Sequence, residues 1–279
     1  MRVKITTLAE NTATKFNTLA EHGLSMLLEL DGLSILMDTG QTGTAVHNAR
    51  ALGVDLSRVD HIVLSHGHQD HTGGLIEVLT RTGEVWVHAH SEIWRHRYVV
   101  RKAEGKPRYA GLMYVREQLE ALGAKFVLSD APDHITGNVM TTGPVPRNTP
   151  FEKLDADLAV KTPQGWSQDE VPDDQSLLVR TPRGLIVLLG CAHSGLVNTL
   201  DRAVEVAHEE RILAVLGGTH LGFSTKEQLS RTIEALSEFS IERLGVSHCT
   251  GLAAAGRLAQ EFGDRFFFNN VGTVSEWEF

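Results

Sequence analysis

An α/β sandwich with its sheets inside is the fold class this sequence predicts. Three observations carry it: short β-rich segments punctuated by turns, their alternation with helically spaced segments, and a length of 279 residues, which layered α/β folds occupy as one unit. One domain over residues 1–279 is expected, with an insertion at 94–123.

The first strand is read in "MRVKITTLAE". "LSMLLEL" and "LSILMDTG" follow, separated by Asp31 and Gly32, a pair that suits a tight hairpin. "TAVHNARALGV", Thr44 to Val54, has helical spacing with Gly53 near its end, and "DHIVLS" reads as a buried strand. "GGLIEVLTRTG" should be helical and "EVWVHAH" a strand. "GLIVLLGCA", "ILAVLGGTH" and "IERLGVSHC" are later strands, with helices such as "STKEQLSRTIEALSEF" between them.

The segment Trp94 to Gly123 interrupts this rhythm and is expected to be a helical insertion or an extended lid. From Arg95 to Arg116 it carries seven Arg or Lys residues against one acid, Glu104, a local balance of +6 in a chain whose net charge is −9. A solvated helix face accounts for such a run. An anion-attracting lid is the sharper alternative, because guanidinium groups clamp phosphate or carboxylate in bidentate fashion.

Composition narrows the class. Apolar residues make up 42% and charged residues 22%, ample for a buried core. The acidic balance argues against a general nucleic-acid surface. No apolar stretch approaches membrane-spanning length, and the start does not read as a secretory signal. Two cysteines, Cys191 and Cys249, are too few for a disulfide scaffold, so a reducing cytoplasm is expected.

The chemistry concentrates in "HIVLSHGHQDHTGG", His61 to Gly74. His66, His68, Asp70 and His71 follow an apolar strand in the order His-x-His-x-Asp-His. Borderline-soft imidazoles beside a hard carboxylate suit zinc or another divalent transition metal. A tight Gly-containing loop lets the side chains converge, and imidazoles two positions apart can face one cation while the Asp-His pair turns to a second. A merely histidine-rich polar loop is the bland alternative.

"SHGHQDHTGG", with "LMDTG" ahead of it, resembles the metal motif and the Asp segment of the metallo-β-lactamase superfamily. The resemblance spans nearly the whole chain. It implies a four-layer αββα sandwich with two metal ions at one edge between the sheets, and it implies that Asp38 orients the metal loop without binding metal. Zinc is favoured, with iron and manganese open.

Three further apolar strands end in candidate ligands: Cys191 and His193, then His220, then His248. His248 resembles the superfamily's final histidine, at the second metal. The sequence departs from the common pattern twice. "TTGPVPRN" stands where many members donate a third histidine, with Pro144 unable to bind metal, and "GCAHSG" stands where a bridging Asp is usual. His193 is the preferred replacement ligand, and Cys191 a further metal or bridging candidate.

These departures, with "AENTA", "LAEHGLSMLLE", "GCAHSGL", "GGTHL" and "SHCTG", resemble the branch of dihydropterin-methyl (ribofuranosyl)aminobenzene phosphate synthase-like proteins. That resemblance implies that Asn11, Glu21, His22 and His220 line the substrate pocket. A binuclear metallohydrolase follows, acting on an anionic small molecule, a phosphoester in particular, through a metal-bound hydroxide. His220 or His22 would bind or protonate the leaving group, and Arg147 with the basic insertion would meet the anion. The alternative is a transferase joining a pterin-methyl diphosphate to an arylamine with release of diphosphate. A non-catalytic metal or redox module and β-lactam hydrolysis are the less favoured readings. Substrate, metal identity and oligomeric state stay open at this level.

Overall fold

The computed structural model describes residues 1–101 and 105–279; Lys102 and Glu104, part of the basic run, lie outside the described residues. One sheet of seven strands contains β1 (Arg2–Ala9), β2 (Ser25–Leu30), β3 (Leu33–Met37), β4 (His61–Val63), β5 (Val85–Ala89), β8 (Ala124–Leu128) and β17 (Val274–Glu278), in the spatial order β17-β1-β2-β3-β4-β5-β8. A six-stranded sheet holds β9 (Val139–Thr141), β12 (Leu177–Thr181), β13 (Gly184–Leu189), β14 (Ile212–Gly218), β15 (Ile241–Ser247) and β16 (Phe266–Phe268), in the order β16-β15-β14-β13-β12-β9.

The two sheets face each other across one apolar layer. Ile5, Met26, Leu28, Ile35 and Met37 from the first meet Leu177, Ile186, Leu188 and Leu216 from the second, all buried. Helices α1 (Thr44–Ala51), α3 (Leu75–Thr82) and α4 (Arg116–Glu120) cover the outer face of the first sheet through Ala45, Leu75, Val78 and Leu119. On the other side α5 (Leu196–Ala207), α6 (Lys226–Leu236) and α7 (Gly251–Phe262) pack Leu200, Ile233 and Leu258 against Val187, Val215 and Leu244. This is the four-layer αββα sandwich. Strands buried on both faces read as continuous apolar runs, which is why β13 has no polar residue at all.

Local chemistry sets the element ends. The β2–β3 hairpin turns at Asp31 and Gly32, whose φ values of 47° and 94° match a two-residue turn with positive φ at both positions. Thr225 caps α6 by accepting a hydrogen bond from the Gln228 amide.

Among its described residues, the segment expected to be helical or lid-like is α-helical only in α4. Its centre forms β6 (Arg97–Val99) and β7 (Arg108–Tyr109), which join β10 (Leu158–Thr162) and β11 (Gly165–Gln168) in a small sheet ordered β11-β10-β6-β7. Tyr98 and Val99 suit a strand, and pairing with Ala159 and Leu158 supplies their backbone partners. Among the described residues no helix is long and apolar enough to cross a membrane.

Strand directions decide where chemistry can sit. β3 runs parallel to β4, and β13, β14 and β15 run parallel to one another, so the ends that carry Asp38, the His66 loop, Cys191, His220 and His248 emerge at one edge of the sandwich.

Candidate metal centre

The loop after β4 is pinned from beneath. Asp38, fully buried, accepts hydrogen bonds from the Ser65 amide and the Ser65 hydroxyl, both at 2.7 Å, and from His71 Nδ1 at 2.6 Å. His66 Nδ1 lies 2.9 Å from the same hydroxyl, which already donates to Asp38 and therefore accepts here. These partners place a proton on Nδ1 of both rings and turn both Nε2 atoms toward the neighbouring donors. Burial lowers His71, but the Asp38 carboxylate more than offsets it and holds the ring up to about 9, so its Nε2 gives up a proton when a cation binds. Asp38 thus ties Ser65 and His71, at the two ends of the loop, to one carboxylate.

The buried rings then converge. His193 Nε2 lies 3.1 Å from His66 Nε2 and 3.1 Å from His68 Nδ1. Burial pushes His66 and His193 well below the usual imidazole range and His68 down to about 3, so all three are neutral donors of electron pairs. A single proton can serve only one of the two contacts around His193 Nε2, whereas a cation between the rings would accept from all three nitrogens. Metal–nitrogen bonds of roughly 2.0–2.1 Å in a tetrahedron separate the nitrogens by about 3.4 Å, close to what is found. The donor set fits a divalent metal.

A second group adjoins the first. His71 Nε2 is 3.1 Å from Cys191 Sγ and 3.2 Å from His248 Nε2, while Asp70 Oδ2 lies 3.3 Å from His248 Nε2 and 3.2 Å from His22 Nε2. Despite opposing burial, the contacts from His22 and His248 hold the Asp70 carboxyl well below its ordinary range. Asn11 Oδ1 accepts from His248 Nδ1 at 2.9 Å, which turns His248 Nε2 to the cluster, and Asn11 Nδ2 reaches His22 Nδ1 at 3.4 Å. Asn11 thus holds two donors and does not line the cavity.

Backbone conformation is unusual in the same place. Of the eight described non-glycine residues with positive φ, four are Asp38, Ala192, His220 and His248. Each such residue costs on the order of 1–3 kcal/mol and is retained where surrounding contacts enforce it. Strain therefore concentrates where the donors must be aimed.

A cavity of about 300 Å3 opens onto both groups, touching His68 and His193 of one and His22, Asp70 and His248 of the other. Its far wall carries Arg101, Arg108, Val99 and Leu158 from the small sheet and its flanks, together with Asp155, Phe223 and His220. His220 Nε2 lies 3.2 Å from Asp155; burial lowers this imidazole, but Asp155 and the Cys249 side chain together more than offset it and hold the ring up to about 9.

Two expected substrate residues sit elsewhere. Glu21 accepts from the Gln41 amide at 3.0 Å and the Thr42 hydroxyl, so it fastens the loop after Asp38. Arg147 is half-buried behind the site, donating to the His193 carbonyl at 2.8 Å and the Glu170 carbonyl at 3.0 Å. Arg97, counted with the basic run, is fully buried between Asp169 at 3.0 Å and Asp173 at 2.6 Å. Asp173 in turn accepts from the Gly67 amide at 2.7 Å, and Asp174 from the Ser194 amide at 2.8 Å. Gly67 must be glycine, because a Cβ there would collide with the Ile93 carbonyl and the Arg97 guanidinium. Asp173, Asp174 and Asp155 went unread in the sequence, and Cys249 was read only as one of two cysteines; "PDDQS" ahead of an apolar strand is a signal for the first two alone.

The family profile of the metallo-beta-lactamase superfamily matches residues 19–199. The chain belongs to that superfamily. A relative from Methanocaldococcus jannaschii, named 7,8-dihydropterin-6-methyl-4-(beta-D-ribofuranosyl)-aminobenzene-5'-phosphate synthase, is 31% identical over 98% of this chain and 96% of its own length. A solved structure described as a metal-dependent hydrolase of the beta-lactamase superfamily is 30% identical over 99% of both chains, with a TM-score of 0.83. Zinc-bound PqqB from Methylobacterium extorquens, 13% identical with a TM-score of 0.57, shares the fold. The metallo-β-lactamase fold generally binds divalent metals, and the chain is a metal-dependent enzyme of the superfamily.

Proposed function

We propose that the protein is a two-metal hydrolase of an anionic small molecule, a phosphoester in particular. The observation that carries this reading is a single cavity bounded by both donor groups on its floor and by Arg101 and Arg108 on its wall. His66, His68 and His193 would hold one cation; His71, Asp70 and His248, with Cys191 and His22 beside them, would hold the other. Bound there, divalent cations supply Lewis-acid polarisation of the ester and make water a stronger acid.

The chain's own residues do the rest. Arg108 and Arg101 bind the anionic end by charge-assisted hydrogen bonds. His220 borders the cavity and keeps its proton through Asp155, so it can bind or protonate a leaving oxygen. Asp38, Asn11 and Arg147 keep the donors aimed.

A second reading is favoured by the near full-length relative named as a synthase. In it the same cavity holds a pterin-methyl diphosphate, and an arylamine displaces the diphosphate. Metal-loaded protein assayed against phosphodiesters, phosphomonoesters and lactones should turn over at least one ester. Diphosphate release that requires the arylamine, with no ester hydrolysis, would replace the first reading by the second.

A further inference from the structure

The chain has only two cysteines, 58 positions apart, and both end at the same point of the metal centre. Cys191 Sγ, Cys249 Sγ and a ring nitrogen of His248 all lie within 4.8 Å of one another. Both sulfurs are buried, yet neither cysteine belongs to any of the apolar clusters that build the core. A buried thiol used as filler packs among aliphatic side chains. These two pack against imidazoles, and both border the cavity.

The backbone is shaped for the second sulfur. Gly218, at the end of β14, has no side chain, and a Cβ there would stand 2.7 Å from Cys249 Sγ. The His220 amide donates to Cys249 Sγ at 3.2 Å, a contact that favours the anionic form a metal requires. His248 at φ 53° begins the 3-10 turn His248–Thr250, and that turn presents an imidazole and a thiol, neighbours in sequence, to one cluster.

We infer that Cys191 and Cys249 form a dithiolate face of the metal centre, with His248 shared between that face and the Asp70 side, and that the centre selects a thiophilic divalent cation of the zinc or cadmium class over manganese or magnesium. Thiolate donors favour such cations, whereas a purely imidazole and carboxylate set accepts all of them. The inference rests on the metal-centre reading above and adds Cys249 to it.

Cobalt-loaded reduced protein should show a thiolate-to-metal charge-transfer band, and cadmium-loaded protein a cadmium resonance at the deshielded position of sulfur ligation. Cys249→Ser and Cys191→Ser should each retain about half of the cobalt band, and the double variant none of it, because the band scales with the number of bound thiolates. A full-strength band in Cys249→Ser, or a wild-type cadmium resonance at a nitrogen and oxygen position, overturns the inference. The cadmium spectrum needs no variant, so misfolding cannot hide the answer. Total metal measured in parallel separates the failures: bound metal without sulfur signals sinks this inference alone, and absence of bound metal sinks the metal centre as well.

Discussion

His66, His68 and His193 are 0%, 6% and 7% exposed, whereas in the neighbouring group His22 and Asp70 leave 58% and 21% of their side chains open. The first group is uncharged and uniform; the second mixes imidazole, carboxylate and thiol. Burial makes it costly to leave the first three rings without a cation, and their rigid surroundings prevent other arrangements. Solvent at the second group makes rearrangement and exchange cheap. On the two-metal reading proposed above, the first position would keep its metal, and the second, opened to solvent by His22 and Asp70 although His71 and His248 are buried, would meet substrate.

The contrast can be broken outright by His193→Ala, which should abolish binding at the buried position; metal analysis should then find one equivalent fewer, and an unchanged content would refute the assignment. Next in size is the support beneath that position. Arg97→Met leaves Asp169 and Asp173 as unpaired buried carboxylates and should cost roughly 3–5 kcal/mol, read by urea unfolding of the metal-free protein. Loss of less than about 1 kcal/mol would mean that the loop after β4 does not depend on this ion triad.

Asp38→Asn keeps the shape but weakens the hold on His71 and Ser65, and metal affinity should fall about 10–100-fold, measured by competition with a chelator. The smallest effect is expected at the open group. His22→Ala should weaken only the more weakly held equivalent, by about tenfold or less, and leave the tightly held one in place. Equal loss of both equivalents would erase the distinction between the two positions.

Much of this was legible because local pattern and tertiary role coincide. The His66–His71 loop follows a run that cannot be solvent-exposed, and histidines at a strand end need no knowledge of distant partners to be suspected. Asp38 stood out only through the resemblance of "LMDTG" to the superfamily's Asp segment. Arg97 misled because a run of positive charge does not reveal which member finds two buried carboxylates more than seventy positions away. The place of Cys249 was hidden similarly, since its contacts with Cys191 and His220 come from the ends of two other strands.

The amino-acid order alone determined the layered architecture, the hairpin at Asp31–Gly32 and the metal loop, because periodicity, turn chemistry and donor spacing act over a few residues. Only the packed structure decided that Asn11 and Arg147 aim donors, that the basic segment forms a strand wall, and that both thiols meet at His248. Those outcomes depend on which strand ends reach the same edge, and that is set by sheet pairing over more than two hundred residues.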